Sequence, residues 1–376
     1  MRLLGIASCL AAVLATFHPN GVQAGDGVIA LNQVWSRLAD VNGEFGSVES
    51  AEFDSTSTRI VTGTKFDNTV RIFRVSDGTE VWSRTVPQEI ERVAWIDGDR
   101  RVASVSEDGF LRVFDAQSGE VVARHRHENG IDGLAASHDG KLLASGQERV
   151  AGNGVIRIFD GRGEELLRSM PFPGTVNELD FSPDDRMMAA VGDYTARIYD
   201  ARTFEVLREW KLPQEAGPYG SGNIYINTKF SPDGSMLAVG GAYGFVYLYD
   251  VASGRTLRTL QKDVEKTETV AWTADGRHLM VAGNGMSIDV FALADLLNGD
   301  YSNSEQVPYT LRVPVSDALE YMDFNAAGTL LTTAHQDGTV QLWTFMSDDP
   351  RVNELQHRKV RQQQDEQARA EGRYVE

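Results

Sequence analysis

The chain has 376 residues, 41% of them apolar, with 54 Asp and Glu against 36 Lys and Arg and a net charge of -18. That acidic surplus disfavours sequence-independent nucleic-acid binding and contact with anionic membrane surfaces, and it favours cationic partners. The single cysteine, Cys9, sits near the N-terminus, so the remainder has no thiol for disulfides, thiolate metal sites, Cys-x-x-Cys-His haem attachment or nucleophilic catalysis.

The first 24 residues differ in kind from the rest. Arg2 precedes an apolar stretch from Leu3 to Phe17, and a polar region then ends on Val22-Gln23-Ala24. These are the three regions of a secretory signal peptide, predicting export with a cut after Ala24. An apolar stretch of 15 residues is short of the ~20 needed to span a bilayer, so no membrane insertion is expected once the segment is removed. Ile6-Ala7-Ser8-Cys9 loosely resembles the box before a lipidated cysteine, but only eight residues precede Cys9.

From residue 53 to 345 one phrase recurs seven times: an apolar run, an Asp/Gly turn, a small-residue strand, a second turn, and a strand ending on an aromatic. Those closing aromatics are Phe73, Phe114, Phe159, Tyr199, Tyr249, Phe291 and Trp343. A period near 40 to 45 residues holding several short strands is the sequence signature of a β-propeller. The first turn is written in full as Ser231-Pro232-Asp233-Gly234 and recurs as Ser182-Pro183-Asp184-Asp185, Ser137-His138-Asp139-Gly140 and Thr273-Ala274-Asp275-Gly276. Asp bonds the turn backbone and Gly takes positive φ, so these read as hairpins. The second strand is small, as in Leu142-Leu143-Ala144-Ser145-Gly146, which predicts close packing of neighbouring units.

The third strand closes on Phe114-Asp115, Phe159-Asp160, Tyr199-Asp200 and Tyr249-Asp250, and on these residues the chain resembles the WD40 repeat family, whose repeat ends on Trp-Asp. Phe73-Arg74, Phe291-Ala292 and Trp343-Thr344 depart from that pattern, and the Gly-His pair that usually precedes the first strand is missing. The resemblance covers roughly residues 46 to 345 and implies an all-β, seven-bladed propeller of four-stranded antiparallel blades. The seventh unit stops after its third strand at Phe345, which would leave an open edge. Such rings close by lending an N-terminal strand to the last blade. The segment Val28 to Leu38, with Val28, Ile29, Leu31, Val34 and Trp35 as its apolar residues, is therefore expected to complete blade seven. The domain reading is a signal peptide over 1–24, the propeller over 25–348, and a charged, Gln-rich tail over 349–376, helical or disordered.

Counting four residues back from the end of each first strand gives Glu49, Glu91, Asp132, Asn177, Ile226, Glu268 and Glu320. The resemblance places this position near the top of the central channel, so five carboxylates and an Asn are expected to crown the channel mouth. Neighbouring carboxylates ~8 Å apart repel by ~0.5 kcal/mol in water. A basic protein or peptide, or a cation such as calcium, would relieve that repulsion. Two expansions, 147–154 and 214–223, fall on the same face, and the second presents Tyr219 on a Gly-rich loop; the expansion 293–305 belongs on the opposite face.

His125 and His127 have the i, i+2 spacing of one strand face, with no third metal ligand evident. One outer-strand Trp, Trp82, follows a Gly-Thr turn as in propellers that bind pyrroloquinoline quinone, but Val122, Leu167, Leu207 and Leu257 take the corresponding places. The expectation is an exported, periplasmic or secreted, monomeric and non-catalytic protein-binding scaffold with no cofactor. The alternative is a lactonase-like hydrolase using a divalent metal on channel carboxylates.

Overall fold

The computed structural model describes residues 22–24, 27–41, 46–212, 224–262, 266–299 and 307–347. The expected signal segment up to residue 21, Cys9, the loop bearing Tyr219 and the tail from 349 onward lie outside the described residues. Seven antiparallel sheets form seven blades. In blade one the strands are Val48–Phe53, Arg59–Thr64, Thr69–Arg74 and Glu80–Thr85, running from the channel outward. The inner strands of blades two to seven are Ile90–Ile96, Ile131–Ala136, Glu178–Phe181, Tyr225–Phe230, Thr267–Trp272 and Leu319–Phe324. Each packs beside the next, and the last meets the first.

The ring closes where the sequence leaves an edge. Gly27–Leu38 pairs antiparallel with Thr339–Ser347, the third strand of blade seven. Of the segment's apolar residues Val34 is exposed. Gln33 faces Trp343 while Trp35 faces Leu342, so the register slips by one residue and a β-bulge forms at Val34. The slip carries Trp35 to the sheet face opposite Ile29 and Leu31, and the strand serves both neighbours. Ile29 and Leu31 pack with blade six, and Trp35 packs with blade one. Val22–Ala24 adds a short hairpin strand against Gly27–Ile29, so the expected cut after Ala24 falls between the two strands.

The core is distributed as seven apolar clusters, one at each blade interface. The closing aromatics are all buried within them. Small second-strand residues matter because the next blade presses on them: a Cβ on Gly63 would fall 2.5 Å from Ile90, and one on Gly146 would fall 2.3 Å from Val176. In the first turn Ser231 donates to Asp233 Oδ1 at 2.6 Å, accepts from Met236 N at 2.9 Å, and leaves Gly234 at φ +70°. The Asp after the aromatic caps the turn to the outer strand: Asp115, Asp200 and Asp250 accept from the amides of Ser118, Thr203 and Ser253 at 2.7 to 2.8 Å. Blade six inserts the helix Leu293–Asn298 after its third strand, within the expected expansion. Inner strands run from mouth to base and third strands do the same, so this helix lies at the base. No helix among the described residues is long and apolar enough to cross a membrane.

Candidate functional site

The seven positions counted back from the inner strands line one cavity of about 850 Å³ at the channel mouth: Glu49, Glu91, Asp132, Asn177, Ile226, Glu268 and Glu320. The backbone explains their shared direction. In six blades the ladder skips this residue: Val48 and Ser50 pair with consecutive partners and leave Glu49 out, and the same slip isolates Glu91, Asp132, Ile226, Glu268 and Glu320. A bulge turns its extra residue away from the alternating pattern and re-aims the side chain. In blade four Asn177 precedes the strand and donates its amide to Val191 O at 2.9 Å, holding the same place without a bulge.

The mouth is short of positive charge. Burial, then the Glu320 carboxylate, pushes Glu49 up to about 7. Burial, then Glu148 and Glu107, pushes Asp132 up to about 8. Glu91 is raised well above the carboxylate range by burial and by Glu49 and Asp132, and burial also raises Glu268 and Glu320. Two cations unseen at the crown from sequence moderate this. Lys65 pairs with Glu89 at 3.2 Å and Lys266 with Glu268 at 3.5 Å. Burial works against the Lys65 ammonium, yet Glu49, Glu91 and Glu89 hold it above its ordinary range.

Below the crown lies a polar layer that the repeat count does not mark. Arg92 Nε reaches Glu178 Oε2 at 3.0 Å, and Asn227 Nδ2 donates to the same oxygen at 3.2 Å. Lys229 pairs with Asp180 at 3.2 Å, while the Tyr321 hydroxyl donates to Glu52 Oε1 at 3.4 Å. Burial and the neighbouring Asp323 push Glu52 up to about 8. The lactonase-like arrangement needs central carboxylates able to hold a cation on the axis. Here Glu178 and Asp180 already pair with Arg92 and Lys229.

Sequence reasoning also missed Glu89, Glu107 and Glu148, which stand on turns rather than inner strands. Oxygens of Glu89, Glu91 and Glu107 lie within 4.8 Å of one another, as do those of Glu107, Asp132 and Glu148. The signal available was positional: Glu107 and Glu148 each follow directly on a second strand, as Gln336 does in blade seven. The histidine pair divides rather than converging on a ligand. His125 Nε2 lies 2.9 Å from Gly163 O, whereas His127 is buried with Nε2 at 3.1 Å from Ser145 Oγ. The mouth also receives the turn of the expected 147–154 expansion, since Glu148 belongs to it.

Three stretches of the chain, 119–160, 165–200 and 309–344, match the family model described as WD domain, G-beta repeat. Each begins just ahead of an outer strand and ends on the third strand of the following blade, so the sequence repeat straddles two blades. Protein tipD of Dictyostelium discoideum is 25% identical over 57% of this chain and 35% of its own length. Eukaryotic translation initiation factor 3 subunit I of Schizosaccharomyces pombe is 25% identical over 46% of this chain and 57% of its own. THO complex subunit 3 of Arabidopsis thaliana is 22% identical over 79% of this chain and 89% of its own. The chain thus spans about a third of the first of these relatives and somewhat over half of the second.

Proposed function

Because the chain is a WD40-repeat-like propeller of seven blades, we propose that it is an exported, non-catalytic interaction platform whose acidic channel mouth receives a Lys/Arg-rich segment of a protein partner. The observation that carries this reading is the set of six bulges, five of which aim a carboxylate into one cavity. A closed ring has no folding need for like charges at that place, and their mutual repulsion is relieved when positive charge arrives. The rigid ring displays them in fixed geometry, so little ordering entropy is lost on binding.

Two of the relatives bear names that make them subunits of larger complexes, which supports a role in protein assembly rather than catalysis. Export rests on the apolar stretch Leu3 to Phe17 and the Val22-Gln23-Ala24 end, and places the protein in a periplasm or outside the cell. The net charge of -18 supports a basic partner over nucleic acid. A monomer suits this platform, since the strand that completes blade seven comes from the same chain.

The test places a photo-crosslinking residue at Ile226, the one apolar position of the crown, and follows the full chain in its own cells. The expected product is a discrete partner adduct in the exported fraction, lost when Glu91→Gln and Glu268→Gln are combined with it. Adducts that survive the double substitution, or equal labelling from a control at rim residue Val122, would overturn the reading.

A further inference from the structure

We propose that Glu107, Asp132 and Glu148 form an off-axis site for a hard divalent cation of the calcium type, between blades two and three. This goes beyond the partner-binding reading and does not rest on it. The three carboxylates come from separate places: Asp132 from the inner-strand bulge of blade three, Glu107 and Glu148 from the turns after the second strands of blades two and three. Their oxygens lie within 4.8 Å of one another. Oxygens bound to one calcium at about 2.4 Å are at most about 4.8 Å apart, so the three are close enough to share an ion.

Two independent observations separate this triad from an ordinary acidic patch. Oδ1 of Asp132 is closed off from solvent and accepts no hydrogen bond among the described residues. A buried carboxylate oxygen without a donor is costly unless a proton or a cation satisfies it. Gly130, in turn, leaves the space the carboxylates occupy: a Cβ there would fall 2.5 Å from Oε2 of Glu107 and 3.1 Å from Oε2 of Glu148. Gly130 does not have the positive φ that would itself require glycine.

Charge balance selects this triad over its neighbour. The adjacent set of Glu89, Glu91 and Glu107 already has Lys65 on Glu89 at 3.2 Å. Among the described residues no Lys or Arg forms an ion pair with Glu107, Asp132 or Glu148; the one donor present is Asn129 Nδ2, 3.0 Å from Glu148 Oε2. Three carboxylates with solvent-side room for water suit calcium, which takes six to eight oxygens in flexible geometry, better than magnesium with its strict octahedron.

Isothermal titration of the EDTA-treated full chain with calcium chloride, and separately with magnesium chloride, tests the site. The expected result is one saturable equivalent of calcium, with Glu107→Gln and Asp132→Asn each weakening it by at least about tenfold and the exposed rim variant Glu205→Gln leaving it unchanged. Thermal unfolding of each variant in EDTA confirms that it folds, so loss of binding is not loss of structure. Absence of saturable calcium uptake up to about 1 mM, or uptake retained by both site variants, overturns the proposal. Because no peptide is present, either outcome leaves the partner reading standing or falling on its own test.

Discussion

Arg92 and Glu178 form an ion pair across the channel, Nε to Oε2 at 3.0 Å, from the inner strands of blades two and four. Blade three, between them, carries glycine, Gly133, at the corresponding ladder position. Both side chains are largely enclosed, so each depends on the other for charge compensation. Removing one partner of such a pair costs about 3–5 kcal/mol, whereas replacing both by apolar residues is often neutral. Arg92→Ala is therefore expected to lower stability by that order in urea denaturation, and Arg92→Met combined with Glu178→Leu to restore most of it.

The floor of the channel sets a pH dependence of definite sign. Glu52, pushed up to about 8 by burial and by Asp323, retains a proton in the folded chain that the unfolded chain releases near 4.5. Asp323, raised to about 6 by burial, acts in the same direction. The folded state then binds more protons, so this contribution is present in acid and is lost as pH rises toward 8. His127 works oppositely: burial pushes it down to about 3, and its contribution is lost as pH falls below its ordinary 6.5. Denaturation curves between pH 6.5 and 8.5 should show stability declining, and Glu52→Gln should flatten that decline while leaving unaltered the slope below about pH 4, where Glu52 is protonated in both states.

How much of this could be read from sequence follows from what the repeats share. The closing aromatics, the hairpin turns and the missing strand recur in register, so the ring and its closure by the N-terminal segment were legible. The crown was legible for the same reason, because Glu49, Glu91, Asp132, Glu268 and Glu320 occupy one repeat position. The floor was not. Glu52, Asp180, Lys229 and Asp323 share one repeat position, but they mix charge signs there and Ala94, Ala135 and Ala271 fill it in the other blades, and the layer's pairs join residues 49 to 269 apart in sequence. Glu107 and Glu148 escaped notice because turns vary in length, so no count from an inner strand reaches them. The bulge at Val34 was not legible, since alternation alone does not announce one.

Ring closure depends on that bulge and on Trp35. The indole is buried against blade one and donates Nε1–H to Val75 O at 2.9 Å. Trp35→Ala should cost about 3–5 kcal/mol, read as a drop in unfolding midpoint. Deleting 27–38 should do more: it exposes the edge of Thr339–Ser347, and the expected outcome is self-association, seen as concentration-dependent light scattering.

The crown should trade stability against binding. Glu320 raises the affinity of Glu49 for a proton, and Glu268 raises that of Glu320, so removing charge here relieves the neighbours. Glu49→Gln with Glu320→Gln should raise the unfolding midpoint slightly at pH 8 while weakening capture of a basic peptide. A pair of substitutions that stabilises the ring and impairs binding is the mark of charge held for function.

The most direct measurement of the central claim is the affinity of the full chain for a fluorescent Lys/Arg-rich peptide, against the variant with Glu49, Glu91, Glu268 and Glu320 all changed to Gln. Saturable binding that weakens with salt and drops at least about tenfold in the variant, which is 1.4 kcal/mol or more, is the predicted result. Equal affinity of the two proteins, at any ionic strength, would contradict the assignment of the carboxylate crown as the docking site.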